Sequence, residues 1–449
     1  MHVIIVGAGE VGRYLAQRRG AEGNDVVIVE QNEVAAASIG EELDVQVVVG
    51  SATVPSTLEA AGIHKADLLA GVTQNDEVNF IASLLAKDAG VAQTVARIQT
   101  EELRGPAGKR LREAMKADLI IDPDADTADE IMELARVSGA DEVYRMSDGD
   151  LVVIGARIAD GSPLAGSTLA EIGQSYEPTW RILFGALTRD GQTVIPRGDQ
   201  RLEVGDHVRV LTTRDHRNEI LELLGAKHRR AKRVMVLGGG AVGARVAERL
   251  CAEGAEVVLI EHDVARAKEL SERLSYVTIV NGDIEDVDLL TEESITRMDL
   301  VIAATGDDAA NVLACAFAAT GQRTFTVAVL HRLALLPLVR QFGIDAALSP
   351  RTASANAVLR HVRGGTASVA TFLESDIEVD EFAIEAGSPA DGVRVADLHL
   401  PHSVVLGAVI RQGQTGEIVR GATTLHGGDN VVVFGRPESV PALMKAFTA

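Results

Sequence analysis

Short, unbroken apolar runs recur along the chain and alternate with segments of helical spacing. In the first half the runs are HVIIVG from His2, DVVIVE from Asp25, VQVVVG from Val45, DLLAGVT from Asp67 and TVARI from Thr94. Runs apolar at every position suit parallel strands covered on both faces, because a strand with one wet face alternates instead. Strand alternating with helix predicts a doubly wound sheet. A shorter region follows, with Gly and Pro turns and alternating strands such as LVVIGARI from Leu151 and DHVRVL from Asp206. It predicts a small α+β domain. Between the two parts lies DPDADTADEIMELARVSG, from Asp122 to Gly139. Its Asp and Pro cluster marks a helix start, and the amphipathic pattern after it suits a helix that crosses to a partner domain.

The pattern then repeats. VIIVGAGEVGRYLAQRRGAEGNDVVIVE from Val3 returns as VMVLGGGAVGARVAERLCAEGAEVVLIE from Val234. Gly7, Gly9, Gly12 and Glu30 correspond to Gly238, Gly240, Gly243 and Glu261. Thr73 pairs with Thr305, Asn79 with Asn311, Pro123 with Pro350, and Ser162-Pro163 echoes Ser388-Pro389. The chain is a duplication of one two-part unit. The expected domains are residues 1–140, 141–226, 227–370 and 371–449. The basic run Lys227–Arg233 marks the join between halves and reads as a solvated linker.

Composition narrows the field. Apolar residues make up 46% and charged residues 24%, the balance of a globular protein. Aromatics are only 3%, so Ala, Val, Leu and Gly must fill thin α/β layers. The 43 basic and 65 acidic residues give a net charge of −22, which repels nucleic-acid backbones. Two cysteines, Cys251 and Cys315, cannot build a disulfide framework or a four-cysteine zinc site. They read as packing residues of a protein in a reducing cytoplasm. The N-terminus lacks a basic region ahead of its apolar run, so no signal peptide is expected. No run is long and uncharged enough to span a bilayer. Action at a membrane would therefore need a second chain.

Each glycine set lies where a strand hands over to a helix. The first glycine permits the turn, the second lets a pyrophosphate approach the backbone, and the third lets helix and strand pack. The helix start then offers free N–H groups to an anion. Glu30 and Glu261 end the second strands, where a carboxylate accepts ribose hydroxyls and repels a 2′-phosphate. An adenosine nucleotide or NAD is thus expected rather than NADP. Arg13, on the first helical turn, and Arg97, at the carboxyl end of a strand, are candidate phosphate partners. The second half has Val329 opposite Arg97. No catalytic set accompanies the loops. There is no H-E-x-x-H, G-x-S-x-G or G-x-x-x-x-G-K-[ST], and the histidines are scattered. Paired nucleotide sites without acid–base machinery point to ligand sensing.

Several longer motifs sharpen this reading. They are the G-A-G-E-V-G loop from Gly7, V-V-G-S-A-T from Val48, L-E-A-A-G-I from Leu58, A-D-L-L-A-G-V-T from Ala66, N-D-E-V-N from Asn75 and V-A-R-I from Val95. With these the whole chain resembles the TrkA family, the cytosolic subunits of Trk-type potassium uptake systems, built from tandem RCK (KTN) domains. The resemblance implies two Rossmann-like doubly wound parallel sheets, each followed by a small α+β C-terminal domain. It implies ATP, ADP and NAD(H) as ligands. The implied contacts add Glu10, Val11, Ser51, Ala52, Thr73 and Asn75 in the first half. In the second half they add Ala241, Val242, Asp283, Ile284 and Thr305. It further implies a homo-oligomeric ring on the cytoplasmic face of a membrane potassium-channel subunit, with no enzymatic turnover and no metal. The first half departs from the family's G-D-A or G-D-I with Gly50-Ser51-Ala52, while the second keeps Gly282-Asp283-Ile284. The first site is thus expected to suit a triphosphate, held by the Gly7 loop, Arg13 and Arg97. Crossover helices starting near Asp124 and Thr352 would carry the signal. Two alternatives stand beside this: an NAD-dependent oxidoreductase, and a regulator of another cation transporter such as a potassium/proton antiporter.

Overall fold

The computed structural model describes residues 1–449 except 101–102, 104–107, 138, 147–148, 177–180, 227–230, 322, 363–368, 372–375 and 412. Lys227–Arg230, the start of the basic run, thus lie outside the described residues. The first sheet holds β1 (His2–Val6), β2 (Asp25–Glu30), β3 (Gln46–Val49), β4 (Leu68–Gly71), β5 (Gln93–Arg97) and β6 (Leu119–Ile121). Its order is β3-β2-β1-β4-β5-β6, and every pairing is parallel. The order reverses direction between β1 and β4, which opens a crevice at their carboxyl ends. Strand β1 is buried at all five positions. Val3 and Ile5 face one core and Ile4 and Val6 another, so the unbroken apolar run is explained by two covered faces.

The second half repeats the layout. Strands β12 (Arg233–Leu237), β13 (Glu256–Glu261), β14 (Thr278–Asn281), β15 (Leu300–Ala303), β16 (Phe325–Val329) and β17 (Ala346–Leu348) run in the order β14-β13-β12-β15-β16-β17. The small domains are antiparallel sheets of five strands. The first comprises β7 (Glu142–Met146), β8 (Leu151–Arg157), β9 (Ile182–Arg189), β10 (Gln192–Val194) and β11 (His207–Thr213). The second comprises β18 (Val369–Thr371), β19 (Glu378–Ala383), β20 (Val404–Ile410), β21 (Glu417–Ile418) and β22 (Asn430–Gly435). These two sheets share one core, in which Leu151, Val153 and Leu211 meet Val379, Val432 and Phe434.

The halves exchange helices. Helix Pro123–Arg136 packs on helix Ala241–Ala252 of the second half, and helix Pro350–Val362 packs on helix Glu10–Ala21 of the first. The two crossover helices also pack on each other. Ile131 and Met132 thus share a core with Val242 and Val246, while Val358 and Leu359 share one with Val11 and Leu15. Asp122 caps the first crossover helix by accepting from the Ala125 N–H at 3.1 Å, with Pro123 at the first helical position. The same Asp122 accepts from Arg245 of the second half at 2.9 Å, so the cap also ties the halves.

Candidate functional site

The glycine loop of the first half is shaped by contact. Gly7 follows β1 with φ +107°, and a methyl there would approach Thr73 Cγ2 at 3.0 Å. Gly12 lies directly over the Gly7 carbonyl oxygen, too close for any side chain. Gly9 is the N-cap of helix Glu10–Ala21, has no side-chain cap, and faces open space. The N–H groups of the first turn therefore point outward without intrahelical acceptors.

Glu30 holds this loop in place. Its Oε2 accepts from the Ala8 N–H at 2.7 Å and its Oε1 from the Asn32 N–H at 2.8 Å. A carboxylate has about four acceptor positions, so capacity for ribose hydroxyls remains. Thr73 is bound to Asn79 through both its N–H and its hydroxyl, at 3.0 and 2.8 Å. Asn79 in turn donates to the Arg97 carbonyl at 2.9 Å, which links β4 to β5 behind the site. Asn75 caps helix Asp76–Asp88 by accepting from the Val78 N–H at 2.9 Å.

These elements enclose a cavity of about 620 Å³. Gly7, Gly9, Glu10, Val11, Glu30, Ser51, Ala52, Thr73, Asn75 and Arg97 all line it. Gly12 sits behind the loop. Arg13, expected as a phosphate partner, does not line the cavity. Its guanidinium pairs with Glu42, donates to Ser38 Oγ at 3.2 Å, and donates through Nε to the Ala8 carbonyl at 3.1 Å. Arg13 braces the loop from outside. Arg97 is different. Its Nε is buried without a hydrogen-bond partner. Burial pulls its pKa down from the usual arginine value, while Asp124 and Asp76 oppose that shift.

The sequence reasoning missed the far wall of the cavity. His331, Pro350 and Arg351 come from the second half, and Asp124 from the first crossover helix. Arg351 Nη1 lies 3.2 Å from Glu10 Oε1. The alignment of Pro123 with Pro350 was the available signal, but it locates position 351 only once the exchange of helices is known.

The second half builds the same loop with other chemistry. Gly238 has φ +101°, Gly243 crowds the Gly238 carbonyl, and Gly240 caps helix Ala241–Ala252 facing open space. Val242 is buried in that helix. Glu261 accepts from the Gly239 N–H at 2.7 Å and the Asp263 N–H at 2.8 Å. Thr305 is bound to Asn311 as Thr73 is to Asn79. Asp283 accepts from the Glu285 N–H at 2.9 Å, and Ile284 is buried. Asn311 donates to the Val329 carbonyl at 2.9 Å, which puts Val329 in the place of Arg97. Arg266 Nε donates to the Gly239 carbonyl at 3.1 Å, the service Arg13 performs in the first half from a different helix. At the start of helix Asp308–Ala319, burial raises the Asp308 carboxyl. Hydrogen bonds from the His331 and Arg332 N–H groups and side chains outweigh it and hold the group below its ordinary value.

Among the described residues, no group of three His, Cys, Asp or Glu side chains is placed to hold a metal. Cys315 is buried, and desolvation pushes its thiol up to about 12. Cys251 was expected to be buried. It is only half-buried, with Sγ 3.2 Å from the Tyr276 carbonyl.

Comparison with known proteins agrees with this duplicated layout. The TrkA-N domain model matches residues 3–123 and 234–350, and the TrkA-C domain model matches 153–225 and 379–448. This chain belongs to the TrkA family. Among family members, the Trk system potassium uptake protein TrkA of Haemophilus influenzae is 31% identical over 454 residues, covering 100% of this chain and 98% of that protein. A TrkA homolog of Archaeoglobus fulgidus is 31% identical over 448 residues, covering all of both chains. Among solved structures, the GsuK RCK domain shares the fold with a TM-score of 0.59 at 19% identity, covering 99% of this chain and 94% of that one. The GsuK channel bound to NAD aligns with a TM-score of 0.60 at 18% identity, covering 99% and 78%. No helix among the described residues is long and apolar enough to cross a membrane.

Proposed function

We propose that this chain is the regulatory subunit of a potassium uptake system. It binds adenine nucleotides, ATP, ADP or NAD(H), and acts without turnover on an integral-membrane potassium-transport subunit at the cytoplasmic face. The observation that carries the reading is the cavity itself. It joins a glycine loop, a ribose-facing carboxylate and Arg97, whose Nε is buried, to a wall supplied by the other half. A ligand touching both halves binds one arrangement of them better than another, and that difference is what shifts a conformational equilibrium. The names of the TrkA relatives and the NAD and ADP complexes of GsuK support the ligand class and the potassium role.

Assembly as a homo-oligomeric ring is part of the same reading. Ile81 and Leu313 are exposed at matching positions of helices Asp76–Asp88 and Asp308–Ala319, Leu111 and Leu338 are exposed on following helices, and Phe342 is exposed in the turn after the second of these. Apolar faces repeated in both halves suit self-association. The test is affinity capture of the tagged chain from detergent-solubilised membranes, with and without nucleotide. Recovery of an integral potassium-transport subunit is expected. Recovery of soluble proteins alone, or consumption of NADH with a metabolite, contradicts the reading.

A further inference from the structure

The first glycine loop carries a charge that the second lacks. Glu10 opens helix Glu10–Ala21 directly after the Gly9 cap, lines the cavity and is 49% exposed. A carboxylate there satisfies the positive end of the helix, which is also the role of a bound phosphate. Its cationic neighbour is Arg351, in the first turn of the crossover helix of the other half. Arg351 Nη1 is buried, yet makes no aligned hydrogen bond despite its 3.2 Å approach to Glu10. The pair is therefore held by charge and is open to a better-shaped anion. Phosphate is such an anion, since guanidinium matches it in a bidentate way and it brings more charge than a carboxylate. Arg97 Nε, buried and without an acceptor, lines the same cavity. The repeat puts Ala241, Asp124 and Val329 where Glu10, Arg351 and Arg97 stand, so the second loop has none of this set.

We propose that Glu10 is an internal competitor for Arg351, displaced by the terminal phosphate of a nucleoside triphosphate. The inference rests on reading the cavity as a nucleotide site. A diphosphate lacks the third group and leaves the Glu10–Arg351 pair in place. A triphosphate takes Arg351 and repels Glu10. The exchange uncouples the start of helix Glu10–Ala21 from helix Pro350–Val362, which packs on it through Val358 and Leu359. Occupancy by ATP rather than ADP is thereby written into the packing between the halves.

The test is calorimetric titration of the full chain with ATP, ADP and NADH. All proteins carry Gly240→Asp, whose added carboxylate meets open space and closes the second loop to phosphate. Glu10→Gln should strengthen ATP binding by roughly tenfold and leave ADP and NADH within about twofold. Arg351→Gln should erase the preference for ATP over ADP, and Arg351→Lys should restore part of it. Equal strengthening of ATP and ADP by Glu10→Gln, or an unchanged ratio, overturns the exchange and leaves the nucleotide site standing. If the parent protein binds none of the three, the reading of the cavity fails first.

Discussion

A methyl group added at Gly12 would press into the Gly7 carbonyl oxygen, whereas one added at Gly9 would meet open space. Gly12→Ala should therefore cost about 2 kcal/mol of stability through overpacking. Gly9→Ala should leave the melting temperature unchanged yet weaken ATP binding about tenfold, because its methyl enters the cavity. Thermal melts and calorimetry on the two variants separate these roles. Glu30→Gln should cost about 1–3 kcal/mol, since one amide oxygen cannot accept from both the Ala8 and Asn32 N–H groups and its NH₂ would face a donor. A chemical-denaturation midpoint reads that loss. The glycines and Glu30 were legible because backbone geometry at a strand–helix turn prescribes them. The direction of Arg13 was not legible, because sequence position does not reveal rotamer direction, and Glu42 meets it at the end of another helix. Arg351 was invisible because its neighbour, Glu10, is contributed by the opposite half.

At the scale of elements, the central strands were legible from their unbroken apolar runs, which two covered faces require. Strands β6 and β17 have three residues each, too few to show a period, and they were not anticipated. The crossover helices were readable from their Asp and Pro start, though not the surfaces they cover. One loop brings a pH dependence. The depressed Asp308 carboxyl contributes stability that is present above its unfolded pKa and lost as pH falls through its lower folded value. Between about pH 5 and pH 2, wild-type protein should lose melting temperature more steeply than Asp308→Asn. Parallel slopes in the two melts would show that the loop hydrogen bonds do not depend on the charge.

At the scale of the molecule, the duplication folds back on itself. Each half lends a crossover helix to the other, and the small sheets close face to face. Gly185 marks how tight that closure is, because a methyl there would enter the ring of Phe434. Gly185→Ala should cost about 1–3 kcal/mol by forcing the sheets apart, with the loss visible as a lower melting temperature. A melting temperature equal to wild type would mean that the sheets do not pack this closely. The duplication was plain in the sequence, yet the face-to-face arrangement was not, since a repeat does not state how its copies meet. The exchange of crossover helices gives the first glycine-loop cavity a wall from the second half, and on the proposed function its occupant reports on both. A structure of the full chain with ATP tests this most directly. The account predicts the phosphates against the Gly9–Gly12 turn, with the last of them between Arg97 and Arg351. ATP bound elsewhere, or density confined to one half without contact to Arg351, would contradict it.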